Sequence, residues 1–228
     1  MNYDRYLNAR VAAVPPSGIR RFFDLAATMK DTISLGVGEP DFITPYHIRN
    51  AAINSIVDGE TQYTPNRGLL ALREEISGYL QKRYQITYDP QKEILVTVGA
   101  SESIDVALRA LISDGDEVLV PEPSYVSYSP SVIFAGGTPV GVETREDTDF
   151  RLSAQRVREA ITPRTKALIL PYPNNPTGAV MGREELEELA QVVRERELLV
   201  ISDEIYSELT YGGEHVSFAS LPGMWPYT

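Results

Sequence analysis

Residues 198–206 read LLVISDEIY, an apolar run that ends in a serine, two carboxylates and a tyrosine. The apolar residues at 198–201 do not alternate with polar ones, a pattern typical of a strand that is buried on both faces, as in a parallel sheet. Comparable runs precede it at 94–98, 117–120, 139–142 and 167–170. The sequence therefore predicts five buried strands.

Helical periodicity separates these runs. Amphipathic segments lie near 102–112, 124–134, 153–161 and 183–196. Strands that alternate with helices predict an α/β fold, a mostly parallel sheet with helices on both faces and right-handed crossovers. Ligands of such sheets bind at the carboxyl ends of the strands. The residues that follow each apolar run are therefore the candidates for a functional site.

The residues before 93 show mainly helical patterns, with one short extended piece predicted at 33–38. Thr44 and Pro45 give a helix start signal, because proline is favoured at the first helical position. The predicted inward positions of this helix are Ile48, Ala52 and Ile56. Those of a second predicted helix are Leu69, Leu72, Ile76 and Leu80.

The composition excludes several classes of protein. The 228 residues include 21 Lys and Arg against 32 Asp and Glu, a net charge of −11 that disfavours nucleic acid and anionic membranes as partners. The absence of cysteine excludes disulfides and cysteine nucleophiles. His47 and His215 are too few for a histidine-rich metal cluster, and neither lies near a G-x-S-x-G motif, so we predict no metal and no serine triad. With no apolar run near ~20 residues and no secretory signal, we expect a cytoplasmic protein.

Two strand ends carry candidate groups next to glycine or proline. Residues 99–103, GASES, open a helix whose free amides and serine hydroxyl can bind a phosphate. A plain helix cap by Ser101 is the structural alternative. Residues 121–125, PEPSY, follow the next run, and Tyr125 could stack on a planar ring or serve only as a packing residue.

Two further strand ends carry an amide and a carboxylate. Residues 171–178, PYPNNPTG, form a turn in which Asn175 could hydrogen-bond a ligand, although turn preferences alone explain this composition. Asp203 ends an apolar strand, so we expect its carboxylate to be partly buried and to need a cation or several donors. A protonated heterocyclic nitrogen and an arginine both meet this need.

These motifs, in this order, resemble the class I/II aminotransferases of pyridoxal-phosphate fold type I. The resemblance runs from residues 36–42, GVGEPDF, to residues 202–206, SDEIY. Its most specific segments are residues 63–68, YTPNRG, residues 173–178, PNNPTG, and the Asp203 motif. It implies that 1–40 form an N-terminal arm and part of a small domain, and that 41–228 form an incomplete cofactor-binding large domain.

The resemblance also implies roles toward pyridoxal 5'-phosphate. Ala100 and Ser101 would hold the phosphate at the helix N-terminus, and Tyr125 would stack on the pyridine ring. Asp203 would keep the ring nitrogen protonated, which makes the ring an electron sink.

The remaining implied roles concern the ring oxygen, the substrate and a second subunit. Asn175 and Tyr206 would hydrogen-bond the phenolic oxygen of the ring, and Gly38 would lie, with Asn175, against the substrate. Tyr63 would reach the phosphate of a neighbouring subunit, which implies a homodimer. The implied reaction is ping-pong transfer of an amino group between an amino acid and a 2-oxo acid.

The lysine that such enzymes link to the cofactor is implied about thirty residues after the aspartate motif, and the sequence ends at Thr228, before that distance is reached. The lysines of the chain are Lys30, Lys82, Lys92 and Lys166. Lys166 lies at the amino end of its predicted strand, so we assign no catalytic residue. We expect a truncated enzyme, with two strands from beyond Thr228 belonging between 94–98 and 198–201.

Other functions share these cofactor contacts. A β-lyase or a ring-forming synthase could use the same sheet and cofactor, because one fold serves several reactions. A non-catalytic remnant that binds pyridoxal phosphate, or only its phosphate, is a further alternative. The sequence leaves the amino acid substrate open between aspartate-type and aromatic-type.

Overall fold

The computed structural model describes residues 3–16, 18, 22, 25, 26, 28, 29, 33, 38 and 41–228. The helices with assigned bounds are α1 Ala9–Ala13, α2 Tyr46–Val57, α3 Leu70–Tyr84, α4 Ala100–Leu111, α5 Tyr128–Ala135, α6 Ala154–Ala160 and α7 Arg183–Arg196. The strands are β1 Glu117–Glu122, β2 Thr138–Glu143, β3 Thr165–Leu170 and β4 Leu199–Ser202. Short 3-10 turns lie at Asp4–Tyr6, Glu146–Thr148, Ser207–Leu209, Phe218–Ser220 and Trp225–Tyr227.

The chain divides into two compact units. The first comprises Met1–Val14 and Leu70–Thr228 and contains the sheet, and the second comprises Pro15–Leu69. The domain boundary at residue 40 that the family resemblance implies stays a prediction.

The sheet of the first unit is parallel, with the strand order β2-β1-β3-β4. In its register Val118 of β1 lies beside Pro139 of β2, and Leu168 of β3 lies beside Val200 of β4. The segments between successive strands contain helices α5, α6 and α7. The predicted α/β class with a mostly parallel sheet is confirmed.

Helices cover both faces of this sheet. Alternate residues of a strand point to opposite faces, so Leu119, Leu168 and Leu170 belong to one core cluster with residues of α6 and α7. Val118 and Ile169 belong to a second cluster with residues of α4 and α5. Because the central strands are buried on both sides, their sequences are continuously apolar.

The predicted strand at 94–98 is wrong. Within the described part of the chain these residues pair with no strand, and β4 is the last strand at its edge of the sheet. Ile94 is buried, whereas Leu95 and Val98 are exposed. An apolar run shows that a segment can be buried as a strand, but a strand also needs a neighbour that completes its backbone hydrogen bonds.

The predicted buried stripe of α2 is also wrong. Ile48 and Ile56 are 51% and 68% exposed, and Ala52 is exposed as well. Leu69 and Leu72, two predicted inward positions of the second helix, are also exposed. Helical periodicity identifies an apolar face, but it does not identify the surface that covers that face.

Helix α7 shows how local sequence fixes an element. It spans the predicted range 183–196. The Glu185 carboxylate accepts a hydrogen bond from the Gly182 N–H at 2.5 Å, which satisfies one free amide at the helix start. Arginines in its last turn complement the negative end of the helix dipole.

None of the described helices combines the length and the apolar character that crossing a membrane requires.

Candidate active site

An open cavity of about 210 Å³ lies at the carboxyl edge of the sheet, within the first unit. Its lining residues are Val98, Gly99, Ala100, Ser101, Ile104, Tyr125, Tyr128, Asn175, Asp203, Ile205 and Tyr206. They come from the ends of separate elements that a parallel sheet brings to the same edge. The structure thus brings together the candidates from all four strand-end motifs that the sequence singled out.

The wall formed by the start of α4 begins with Gly99. This residue has φ +80°, a left-handed conformation that glycine adopts without steric cost, and it is the cap of the helix. Of the plain cap by Ser101 and its neighbours that the sequence also allowed, the structure shows the neighbour Gly99 as the cap, and Ser101 lies exposed in the first turn. The first-turn amides of a helix have no intrahelical acceptors and carry positive partial charge, which suits an anion.

Asp203 lies directly after β4. Its N–H donates to the Leu170 carbonyl at 3.0 Å, which extends the pairing of β3 and β4 by one residue. Its carboxylate accepts a hydrogen bond from the Tyr128 hydroxyl at Oδ2, 2.8 Å, and one from the Ile205 N–H at Oδ1, 3.2 Å. Among the described residues, no arginine or lysine forms an ion pair with this carboxylate. Of the two partners that the sequence left open, the arginine is therefore not observed.

Tyr128 is a site residue that the sequence reasoning missed. It is buried at the start of α5, and burial, followed by the nearby Asp203 charge, raises the pKa of its phenol. The hydroxyl therefore stays protonated and donates to Asp203. Its position three residues after Tyr125, within the helix predicted near 124–134, was the available signal, because residues with this spacing share one face of a predicted helix.

Tyr125 contributes the aromatic wall. Its ring meets that of Tyr128 edge to face, with centroids 5.7 Å apart and an interplanar angle of 76°. The residue is 38% exposed and lines the cavity. The buried Tyr128 ring supports it from the side, so Tyr125 can present a ring face to a ligand.

Two neighbouring asparagines in the 171–178 turn play different parts. Asn174 is buried, and its Oδ1 accepts hydrogen bonds from the Thr177 N–H at 3.2 Å and from the Thr177 hydroxyl at 2.9 Å. Asn175 is exposed to the cavity, and its Nδ2 donates to the Tyr206 hydroxyl over a long 3.5 Å. Asn174 therefore fastens the turn, while Asn175 and Tyr206 offer polar groups to a ligand.

The other residues considered from the sequence lie elsewhere. Gly38 and Tyr63 belong to the second unit, where both are exposed, and their implied contacts stay predictions. Lys166 lies at the amino end of β3, with its Nζ 3.1 Å from Asp116 Oδ2. It is therefore at the opposite edge of the sheet from the cavity.

The cavity thus combines four kinds of group: an aromatic ring, a carboxylate that no cation of the described residues contacts, an amide beside a hydroxyl, and the amides of a helix start. A carboxylate in a partly buried position favours a positively charged partner. The arrangement suits a planar, protonated heterocycle that carries a polar ring substituent and an anionic group.

Comparisons with known proteins agree with this chemistry. The family model for aminotransferase class I and II matches residues 30–227. The chain is 51% identical to a putative aminotransferase, YugH, of Bacillus subtilis, and 49% identical to an aspartate aminotransferase of Pyrococcus abyssi, over 96% and 97% of its length. The crystal structure of an aromatic aminotransferase from Pyrococcus horikoshii superposes with a TM-score of 0.83 at 47% identity, covering 91% of this chain.

The chain therefore belongs to the class I and II aminotransferase family. It spans 57% of the length of each of these two curated relatives and 55% of the solved structure.

Proposed function

We propose that this chain provides the cofactor-binding wall of a pyridoxal-phosphate-dependent aminotransferase, which moves an amino group between an amino acid and a 2-oxo acid by ping-pong chemistry. The observation that carries the proposal is the carboxylate of Asp203. It lines a cavity beside the Tyr125 ring and has no cation among the described residues. Family membership supplies the reaction class.

The residues present fit pyridoxal phosphate. The amides at Ala100 and Ser101 would hold its phosphate, and Tyr125 would cover one face of its ring. Asp203 would hold the proton on the pyridine nitrogen. When bound, the cofactor supplies an electron sink for the electron pair left on the substrate Cα.

Asp203 and Tyr128 act as a unit in this proposal. The Tyr128 hydroxyl donates to Oδ2, and the Ile205 amide donates to Oδ1. Both bonds fix the plane of the carboxylate before a ligand arrives, which lowers the ordering cost of binding. Asn175 and Tyr206 would together hold the phenolic oxygen of the cofactor, since both line the same cavity.

The second unit would supply substrate and subunit contacts. Gly38 would lie, with Asn175, against the substrate, and Tyr63 would reach the phosphate bound by a partner subunit of a cytoplasmic homodimer. The fully exposed Tyr63 side chain is compatible with this role. Relatives named for aspartate and for aromatic amino acids leave both substrate types as candidates.

The relatives named above are aminotransferases, so they favour amino-group transfer over a β-lyase, a ring-forming synthase or a non-catalytic remnant.

Binding of pyridoxamine 5'-phosphate to the chain tests the proposal. This form of the cofactor has no aldehyde, so lysines cannot capture it covalently. We expect saturable binding by ring fluorescence, and Asp203→Asn should weaken it about 10- to 100-fold, because a hydrogen bond to a charged group contributes about 1.5–3 kcal/mol. Conversion of the bound ligand to pyridoxal phosphate on addition of a 2-oxo acid would report amino-group transfer.

Asp149→Asn is the matched control, because its side chain is 78% exposed and lies outside the cavity. It should bind like the unaltered chain. No binding, or equal binding by Asp203→Asn, would overturn the assignment of Asp203.

A further inference from the structure

Glu204, the residue after Asp203, forms a partly buried pair with His215. The Glu204 Oε2 is 3.1 Å from Nε2 of His215, and the two side chains are only 20% and 8% exposed. With the carboxylate as acceptor, Nε2 carries the proton of this hydrogen bond. Neither residue lines the cavity of the candidate site.

The other oxygen of Glu204 is also fully engaged. Oε1 accepts hydrogen bonds from the Ser202 hydroxyl at 2.7 Å, the Ser217 hydroxyl at 3.1 Å and the Phe218 N–H at 3.0 Å. The carboxylate thus ties the end of β4 to residues 215–218. A side chain with four partners in fixed directions can occupy only one position, which restricts the backbone that carries it.

Helix α3 holds the other side of this arrangement. The Tyr84 ring of α3 meets the His215 ring edge to face, with centroids 5.7 Å apart. The Tyr79 hydroxyl donates to Glu208 Oε1 at 2.5 Å, and Arg83 Nε donates to the same oxygen at 3.1 Å. The segment 204–208 is therefore fastened near both of its ends.

Asp203 and Tyr206, the cavity residues, lie just before and within this fastened segment. The Ser207 N–H donates to the Glu204 carbonyl at 2.9 Å, so the turn that carries Tyr206 starts from Glu204 itself. A shift of Glu204 would move the adjoining Asp203 carboxylate and the Tyr206 ring together.

We propose that Glu204 and His215 are positioning residues, which hold the 203–207 segment so that Asp203 and Tyr206 face the cofactor. This inference rests on the proposed function for its role in binding, and on the contacts of the described residues alone for its role in anchoring.

His215→Phe is the first test variant, because phenylalanine keeps a ring against Tyr84 but cannot donate to Glu204. We expect the amides of Asp203 and Ser207 to exchange with solvent about tenfold faster, and the affinity for pyridoxamine 5'-phosphate to fall about 5- to 10-fold, as expected for one lost hydrogen bond. His215→Gln, which restores an N–H donor, should recover part of both losses and also serves if the phenylalanine variant does not fold.

Thr162→Val is the matched control. The Thr162 hydroxyl donates to the buried Glu117 carboxylate at the amino end of the sheet. This variant loses an equivalent bond but should leave the 203–207 amides and the cofactor affinity unchanged.

A double-mutant cycle separates positioning from general loosening. Because His215 acts in part through Asp203, His215→Phe should reduce the affinity by a smaller factor in an Asp203→Asn background than in the unaltered chain. An equal loss in both backgrounds, or unchanged exchange at 203–207, would overturn the inference. If the unaltered chain does not bind pyridoxamine 5'-phosphate, the proposed function is overturned. Faster amide exchange at 203–207 in His215→Phe would still support the anchoring of this segment by Glu204 and His215.

Discussion

Glu117 and Asp203 are carboxylates at opposite ends of the same sheet, and they have different kinds of partner. Glu117, at the amino end of β1, is 5% exposed, and its Oε1 accepts hydrogen bonds from Arg164 Nε at 2.9 Å and Nη2 at 2.5 Å. Its Oε2 accepts from the hydroxyls of Thr162 at 2.5 Å and Thr165 at 3.3 Å. The buried charge is therefore fully compensated within the protein.

Asp203, at the carboxyl end of β4, has a phenol and a turn amide as donors, and no cation among the described residues. It also lines a cavity, which Glu117 does not. The partners of these two carboxylates, more than their burial, therefore distinguish a structural charge from a charge that can bind a ligand.

Substitutions of Glu117 and of Asp203 should separate stability from ligand binding most clearly. Glu117→Gln should lower the melting temperature clearly and leave pyridoxamine phosphate affinity unchanged, because it breaks an internal ion pair far from the cavity. Asp203→Asn should change the melting temperature by only about 1–2 °C while weakening binding as described above. Thermal unfolding followed by circular dichroism and a fluorescence titration measure the two effects. Equal losses of stability would remove the distinction.

A smaller effect is expected for Tyr128→Phe. This change removes the hydroxyl that donates to Asp203, so the affinity for pyridoxamine phosphate should fall about 3- to 10-fold, as for one hydrogen bond of about 1 kcal/mol. Tyr172→Phe is the matched control, because its hydroxyl donates to the Phe150 carbonyl at 2.9 Å, away from the cavity. Similar affinity losses in both variants would contradict a specific role for Tyr128.

The pH dependence of the free energy of unfolding should show the contribution of Glu117 to stability. Hydrogen bonding from Thr162, and then from Arg164, lowers the pKa of the Glu117 carboxyl below its ordinary value of 4.5. A lowered folded-state pKa means that this contribution is fully present above about pH 4.5 and is lost as the pH falls through the folded-state value. The free energy of unfolding in urea should therefore fall less between pH 7 and pH 3 in Glu117→Gln than in the unaltered chain. An equal fall in the free energy of unfolding in both proteins would exclude a contribution of Glu117 to the pH dependence.

The Thr162 hydroxyl, a neutral donor to Glu117, should contribute less to stability than Glu117 itself. Thr162→Val should cost about 1 kcal/mol of stability, or about 2–4 °C in melting temperature, because the hydroxyl that donates to Glu117 and accepts from the Arg164 N–H at 3.1 Å is lost. The cofactor affinity should not change. Unfolding and binding curves of the same preparation test this, and a change in affinity would show that the two ends of the sheet are coupled.

The strands within the sheet could be predicted because their burial on both faces leaves a continuous apolar signal. Residues 94–98 carry the same signal, yet they form no strand, since pairing depends on a neighbour that composition does not reveal. The predicted buried face of α2 is wrong for a related reason. Ile48 and Ile56 identify an apolar face of the helix, but they do not identify the surface that covers it.

Those site residues that directly follow a predicted strand could be predicted from the sequence. Tyr125, Asn175 and Asp203 each follow an apolar run, and a parallel sheet must bring such ends to one edge. Tyr128 and His215 could not be found in this way, because their roles depend on hydrogen bonds to residues distant in sequence.

The adjacent carboxylates Asp203 and Glu204 have divergent surroundings, one at the cavity and one at residues 215–218. Successive side chains of an extended segment point in opposite directions, so a shift of one residue exchanges their places. Deleting Ser202 would put the longer acid where the shorter one belongs and leave the net charge unaltered. The order of two neighbouring acids is thus information that no measure of overall composition contains.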